Sequence, residues 1–395
     1  MHTNYIKDLL NLKGVIIKNI NNTKNYLDIF VELPRKVHIC PYCHTETSLI
    51  HDYYTQTIKD MPINFKPVNI IYRKRRYECA SCGKIFFEDN SIVSKYSRHT
   101  MKLTDFIVNS LHSKMTQKQI AKQANVSATF VSKFLPYLAV SCSHLPKVLC
   151  IDEFKGNSGH YKYQVILLDG ETHKVVDIVE CRYKHFLCDY FRRFPQAELD
   201  NVKFLVSDLW ETYKDIGMTY FKHAKIVADT FHYARYACNV VDSLRKQVQS
   251  KLPKEERKFF KHSRRLLLSR RSKITNEEDL DNLNYMLINF SEDLRIAYRE
   301  KESLLDIIHS SDVSEIKIKN FNNWVTRNLS SPVFGLAECA RTYQHWIVEI
   351  RHSLEVPFSN GPTEGVNNKI KVLKRLSFGM PNFTNFKARI LLLNN

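Results

Sequence analysis

Three acidic residues each stand directly after a short apolar run. Lys147-Val148-Leu149-Cys150-Ile151 leads into Asp152, and Val202-Lys203-Phe204-Leu205-Val206-Ser207 leads into Asp208. Ala224-Lys225-Ile226-Val227-Ala228 leads in the same way into Asp229. Runs of this length and composition read as strands buried on both faces of a sheet. A carboxylate placed where such a strand leaves the sheet stands on rigid backbone while its oxygens can reach a cation. One such Asp is best taken as a turn cap, but three in one region point to a metal site. A further carboxylate, Glu364, follows Asn360-Gly361-Pro362-Thr363. Asn-Gly-Pro stops one element and starts a helix, so Glu364 falls in a first turn, where an acid can simply favour the helix dipole. Beside two strand-end aspartates it becomes the candidate third ligand. Three carboxylates suit a pair of Mg²⁺ ions about 3.5–4 Å apart, one activating the attacking oxygen and one steadying the leaving oxygen.

The elements that must hold these residues follow from the pattern around them. After Asp152, Tyr163–Gly170 and Lys174–Glu180 read as two strands of a hairpin, followed by a helix over 185–194 and then the strands ending at Asp208 and Asp229. Three antiparallel strands, a helix, a parallel strand, a helix and another strand resemble the order of a ribonuclease-H-like domain. In that order the first and fourth strands are neighbours, so Asp152 and Asp208 should reach the same cation. From about 233 to 345 the period becomes helical, with Leu280, Leu283, Leu287, Phe290, Leu294 and Ala297 on one face and Arg264, Arg265, Arg270 and Arg271 nearby. This predicts an all-helical insertion with a basic surface.

The first third of the chain offers a second kind of metal site. Cys40-Pro41-Tyr42-Cys43 and Cys79-Ala80-Ser81-Cys82-Gly83 are two knuckles whose four thiolates suit one structural Zn²⁺. His38 and His44 are weaker alternative ligands, and no thioredoxin-like pattern favours a redox pair. Residues 1 to about 30 read as a short helix and then a strand over 26–33. The run Arg73-Lys74-Arg75-Arg76, between Tyr72 and Tyr77, reads as a strand whose Arg73, Arg75 and Arg76 either contact DNA phosphates or lie on a solvated edge. Residues 102–114 read as a helix. Thr116 and Ser127 then cap two short helices with Asn125 at the turn and Ile120, Ala121, Val126 and Val131 between them, the pattern of a helix-turn-helix. Ser127, Thr129, Ser132 and Lys133 would face the major groove.

Composition narrows the class. Of the 395 residues 59 are Lys or Arg and 41 Asp or Glu, a net charge of +18 with pI near 9.3. A basic balance spread along the whole chain fits a nucleic-acid partner contacted over a large surface. No window approaches the ~18 apolar residues of a membrane span, and no signal-peptide pattern opens the chain, so cytoplasmic residence is expected. The ten cysteines do not suggest a disulfide framework there.

Together these motifs resemble the insertion-sequence transposases of the DDE type, and more narrowly the ISL-three family. The resemblance rests on the two cysteine knuckles, the helix-turn-helix, Ile151-Asp152-Glu153-Phe154, Ser207-Asp208-Leu209-Trp210-Glu211-Thr212-Tyr213, Asp229-Thr230-Phe231-His232, and Asn360-Gly361-Pro362-Thr363-Glu364-Gly365-Val366-Asn367-Asn368-Lys369-Ile370-Lys371 with Leu373-Lys374-Arg375 and Phe378-Gly379. It implies Asp152, Asp208 and Glu364 as ligands of Mg²⁺ or Mn²⁺, and Asp229 and His232 as auxiliary residues that hold DNA, orient a catalytic group or serve a structural hydrogen bond. Asn367, Lys371, Lys374 and Arg375 become candidate DNA contacts. The implied substrates are double-stranded DNA, as terminal inverted repeats and target, handled by a homodimer or larger oligomer. The implied organisation is multidomain α+β and α/β: a zinc ribbon over 1–95, a helix-turn-helix over 96–143, a catalytic domain over 144–239 and 346–395, and the helical insertion over 240–345. A DNA-binding regulator without catalysis, or a nuclease without strand transfer, would carry much of the same pattern.

Overall fold

The computed structural model describes residues 10, 12, 14–138, 142–260, 263–377 and 380–394. The expected helix at the start of the chain, and the Phe378-Gly379 pair, lie outside the described residues. Two compact units divide the chain: Met1–Val140 with Arg375–Phe378 and Thr384–Leu393, and Ser141–Lys374 with Gly379–Phe383 and Asn394–Asn395. The segment 346–395 is therefore shared between them.

The first unit is built on a sheet of β1 (Ile16–Asn22), β2 (Leu27–Glu32), β5 (Ile50–Ile63), β6 (Lys66–Glu78) and β7 (Ile85–Phe87), ordered β1-β2-β6-β5 with β7 also on β6. A two-stranded ribbon, β3 (His38–Ile39) with β4 (Glu46–Thr47), carries the first cysteine knuckle. The residue pattern does not assign β1: five of its seven residues are exposed and two half-buried, so it lacks the alternation a buried strand would show. Ile29, Val31, Ile58, Val68, Ile70 and Tyr72 form the buried core of this sheet. The long β5–β6 hairpin lies between the two knuckles and accounts for their wide separation in sequence.

Helix α1 (Met101–Leu111) begins at Thr100, whose hydroxyl caps Leu103 N–H and donates to the buried carboxylate of Asp60. Helix α2 (Gln117–Gln123) opens with a full capping box between Thr116 and Gln119. Asn125, at φ 51°, makes the left-handed turn into α3 (Ala128–Ser132), which Ser127 caps. A last short helix, α4 (Leu135–Leu138), completes the group. Ile120, Ala121 and Val131 fill the space between the helices. The terminal helix, Phe383–Asn394, sends Arg389 into the same unit. Its guanidinium, 2% exposed, donates to the carbonyls of Leu111, Ser113 and Met115, at the end of α1 and in the loop into α2.

The second unit is built on a sheet ordered β10-β9-β8-β11-β12. Its strands are β8 (Val148–Ser158), β9 (Tyr161–Asp169), β10 (Val175–Val179), β11 (Phe204–Ser207) and β12 (Lys225–Ala228). The first three are antiparallel to one another, and β11 and β12 run parallel to β8. Helices α5 (Lys184–Arg192), α6 (Gln196–Asn201) and α7 (Glu211–Tyr220) connect these strands. Leu149, Ile151, Val165, Leu167 and Leu205 pack on Leu187, Phe191, Tyr213 and Ile216 of the helices. At about 1.5–3 kcal/mol for each large side chain removed from water, this packing holds the sheet rigid beneath the polar ends of its strands.

Helix α8 (Thr230–Lys251) leads into the helical part: α9 (Ser263–Leu268), α10 (Glu277–Asn289), α11 (Glu292–His309), α12 (Ser314–Asn328), α13 (Leu336–His345) and α14 (Ile347–Glu355). The single apolar period seen over 280–297 is broken in two, because Ser291 caps a new helix by accepting from Leu294 N–H. A second core gathers Tyr233, Val241, Leu267, Leu283, Leu304, Phe321, Trp324 and Tyr343. Helix α14 returns to the edge strand β12: His352 Nδ1 meets the Ile226 carbonyl at 2.8 Å and Lys225 pairs with Glu355 at 2.7 Å. Helix α15 (Gly361–Leu376) follows. No helix among the described residues is long and apolar enough to cross a membrane.

Replacing Arg389 by Met should destabilise the first unit by about 1–3 kcal/mol in urea unfolding, because the buried Leu111 carbonyl and the half-buried Ser113 and Met115 carbonyls lose their donor. An unchanged midpoint would mean that water reaches those carbonyls.

Candidate metal centre

Strand register brings the three aspartates to one level. Cys150 pairs with Val206, and Ser207 pairs with Ala228, so Asp152, Asp208 and Asp229 each lie at the next step along three adjacent parallel strands. Asp152 does not end its own strand, as the apolar run suggested. β8 continues to Ser158 along β9, and Asp152 marks instead the level at which β11 stops. The hairpin partner on one side keeps the backbone extended while the missing partner on the other opens the carboxylate to a ligand.

Asp208, Asp229 and His232 offer ligand atoms within 4.8 Å of one another. His232 Nδ1 stands 3.1 Å from Asp208 Oδ2. Asp229 precedes α8 and accepts the backbone N–H of Asn360 at 2.9 Å, while the Asn360 side chain donates to the Ile151 carbonyl at 3.1 Å. Asn360 thus ties the start of α15 to both β8 and Asp229. About two turns later, Asn367 donates to Asp152 Oδ2 at 2.8 Å. Asn367 is only 8% exposed, so this candidate DNA contact is instead a holder of Asp152.

Burial, and then the charge of Asp208, push the Asp152 carboxyl up to about 7. Burial, with Asp229 and Glu153 nearby, pushes Asp208 up to about 7 as well. Burial also raises Asp229. Asp208 Oδ1, Asn360 Oδ1 and Asn367 Oδ1 are buried with no hydrogen-bond donor. Crowded carboxylates and orphaned oxygens are the surroundings a hard divalent cation satisfies, so the donor set fits Mg²⁺ or Mn²⁺.

Glu364 is outside this cluster. It lies exposed on the first turn of α15, its N–H bonded to the Asn360 carbonyl, three residues before Asn367. Two neighbours escaped sequence reasoning. Glu153 binds Arg182 through both oxygens at 2.7 and 2.8 Å, and Arg182 stacks on Tyr163 and Trp210. The Tyr213 hydroxyl is buried without a partner and feels the charges of Glu153, Asp152 and Asp208. Both residues belong to the blocks around Asp152 and Asp208, which was the available signal.

In the first unit, Cys40, Cys43, Cys79 and Cys82 bring four sulfurs within 4.8 Å. The two knuckles repeat one geometry. Cys40 N–H bonds Thr45 O and His44 N–H bonds Cys40 O, as Cys79 N–H bonds Lys84 O and Gly83 N–H bonds Cys79 O. His44 and Gly83 both have φ near 60°. Hydrogen bonds from Thr45 lower the Cys43 thiol to about 6, while against the pull of the Lys84 N–H burial and the neighbouring thiols push Cys82 up to about 12, as crowded sulfurs sharing charge do. The set fits a structural Zn²⁺. His38 is buried against the Tyr77 ring.

The candidate DNA contacts divide. Ser127, Thr129 and Lys133 are exposed, but Ser132 donates to Gln117 at 2.6 Å. Arg73 is exposed and pairs with Glu32; Arg76 pairs with Asp52. Arg75 is a correction. It is 6% exposed and held by Glu32, Glu88 and the Leu33 carbonyl, so it stabilises the sheet and has no surface to offer DNA. Arg73 and Arg75 stand two positions apart on one face of β6, and the difference is cover: Glu32, Glu88 and the Leu33 carbonyl close over Arg75 while Arg73 stays exposed. Lys371 and Arg375 are exposed, and Lys374 is half-buried, donating to the Lys155 carbonyl.

Comparison with known proteins agrees with this arrangement. A family model described as "Transposase", for ISL3 elements, matches residues 149–390. One described as "zinc-finger of transposase IS204/IS1001/IS1096/IS1165" matches residues 36–82. The transposase for insertion sequence element IS1001 of Bordetella parapertussis is 24% identical over 374 residues, 89% of this chain and 88% of that protein. A shorter stretch of 106 residues, 27% of this chain and 32% of the relative, is 35% identical to an ATP-dependent protease of Lactococcus lactis subsp. lactis.

Carboxyls whose folded values lie near 7, above the ordinary 3.8, favour the folded state below about pH 4 and penalise it as pH rises towards 7. Asp208→Asn should therefore stabilise the metal-free protein at pH 8 by about 1–3 kcal/mol, with the gain shrinking towards pH 4. Equal or lower stability at pH 8 would rule out the repulsion. Cys79→Ser protein should lose its zinc by metal analysis and much of the stability of its first unit; a full zinc complement would remove Cys79 from the site.

Proposed function

The chain belongs to the ISL3 (ISL-three) family of transposases, and from that premise we propose that it cuts DNA at the ends of its own insertion sequence and joins them to target DNA by metal-dependent phosphoryl transfer. The observation that carries this reading is the level row Asp152, Asp208 and Asp229 across three parallel strands, with unpartnered oxygens around it. The sheet order and strand directions support a ribonuclease-H-like catalytic domain interrupted by the helices between α8 and α14.

In this reading Asp152, Asp208 and Glu364 are the ligands of Mg²⁺ or Mn²⁺, which when bound would activate the attacking oxygen and steady the leaving one. Asn367 orients Asp152, and Asn360 couples Asp229 to β8. His232 holds Asp208 and, with Asp229, forms the auxiliary pair. Glu364 enters from the exposed first turn of α15, where its side chain can reach for the ion that DNA brings. Lys371 and Arg375, exposed further along that helix, provide phosphate contacts.

The zinc ribbon over 1–95 and a helix-turn-helix over 96–143 recognise the terminal inverted repeats. The left-handed Asn125 turn, the two caps and the exposed Ser127, Thr129 and Lys133 support that role. Double-stranded DNA is the substrate, and bringing two ends together calls for a homodimer or larger assembly.

A strand-transfer assay on duplexes carrying the element's own ends, with Mg²⁺, tests the proposal. Wild type should give joined product; Asp152→Ala, Asp208→Ala and Glu364→Ala should each lower it by at least about 10³-fold while leaving end binding within a few-fold. Cleavage without joining would leave a nuclease, and binding without cleavage a regulator. Joining retained after Glu364→Ala would remove that residue from the triad.

A further inference from the structure

The two-residue turn Asn64-Phe65 closes the long β5–β6 hairpin, with Ile63 paired to Lys66. Both turn residues have positive φ, 49° for Asn64 and 62° for Phe65. This is the twist-matched hairpin turn, and its usual sequence is Asn-Gly. Asn suits the left-handed region, but a large aromatic there is strained, at a cost of about 1 kcal/mol or more. The Phe65 ring earns nothing back from packing, because at 103% exposure it touches no core. Local folding rules therefore disfavour Phe65 twice, in backbone and in side chain.

Its surroundings indicate what the ring meets. β2 runs parallel to β6 with Leu27 opposite Val68, so the β1–β2 turn lies at the same end of the sheet. Lys66 Nζ binds Asn22 Oδ1 at 2.9 Å and ties the two turns together. The exposed Lys24 and the exposed Tyr26 ring belong to that turn. Neither turn, 22–26 nor 63–67, contains an acidic residue, and the nearby Asp28 is bonded to Asn69. The end of the sheet is thus a rigid ribbon tip with one protruding ring, cationic flanks and no carboxylate.

We infer that Phe65 is an apolar wedge that enters between base pairs of duplex DNA, with Lys24 and Lys66 on the flanking phosphates. The lysines and the net charge of +18 favour DNA over a second copy of the same basic chain. A wedge of this kind unstacks a base step and bends the duplex. The strained turn serves it by aiming the ring straight off the ribbon. The inference rests on the DNA-binding reading above and adds an interaction site to it.

The test uses the full-length protein, its zinc complement measured, and a duplex of the element's end labelled with a dye at each terminus. Phe65→Gly relieves the backbone strain, so its melting temperature should equal or exceed that of wild type. Its dissociation constant should nevertheless rise by about 10–100-fold, with loss of the DNA bend read by energy transfer, as expected for a lost base–ring stack. Phe65→Tyr, which keeps the ring, should restore both. Equal binding and bending by wild type and Phe65→Gly would overturn the wedge alone. Wild type that binds no duplex would overturn the DNA-binding reading and the wedge with it. A change in subunit number without DNA, measured by sedimentation, with binding per protomer unchanged, would assign the ring to a second copy and also overturn the proposal.

Discussion

Buried carboxylates that stand at one level of a parallel sheet repel one another, and the second unit is shaped by how it contains that repulsion. The sheet beneath Asp152, Asp208 and Asp229 is packed with Leu149, Ile151, Leu205 and Val227, so the strand ends cannot spread apart. Backbone and neutral side chains supply most of the donors to the acids: the Glu153 N–H and the Asn367 amide for Asp152, the N–H groups of Phe231, His232 and Asn360 for Asp229, and the His232 ring beside Asp208. The Arg182 guanidinium is held by Glu153, in the block around Asp152. A site with excess negative charge and few fixed cations suits a divalent ion.

That requirement explains the long detour of the chain. Between Asp229 and Asn360 lie the helices α8 to α14, a body with its own core. Its last helix returns to β12 through His352 and the Lys225–Glu355 pair, and Phe358 packs on Phe204. These contacts deliver Asn360 to Asp229 over 131 residues of sequence. A helical insertion can be long without loosening the site, because rigid packing at its exit replaces a short connection.

The first unit uses its charge differently from what a basic stretch suggests. Arg75 is spent on an internal network with Glu32 and Glu88, to which Tyr72 also donates, while Arg73 and Arg76 pair at the sheet surface. Buried Arg389 plays the same inward role for the helices. Exposed polar and basic residues on α3 and at the ribbon tip, among them Thr129, Lys133 and Lys24, remain open to a polyanion. Four thiolates hold the knuckles from which the β5–β6 ribbon extends, so its rigidity depends on a cluster far from the tip in sequence.

Much of this was readable from residue order alone. The cysteine spacing, the two helix caps, Asn125 at the turn and the three apolar runs before Asp are local signals, and local signals survive without a fold because capping, turn geometry and strand burial depend on near neighbours. The basic run also read as a strand, but it could not say which of its arginines is covered, since Arg73 and Arg75 share one face and the cover over Arg75 comes from Glu32, Leu33 and Glu88. That Asn367 bonds Asp152, that β8 runs on past Asp152, and that β1 joins the sheet were decided by partners distant in sequence. Register between β8, β11 and β12 sets the level of three carboxylates, and register is a property of paired strands. The residue types were written in the chain; their distances came only from packing, because burial and repulsion act between groups that lie far apart in the sequence.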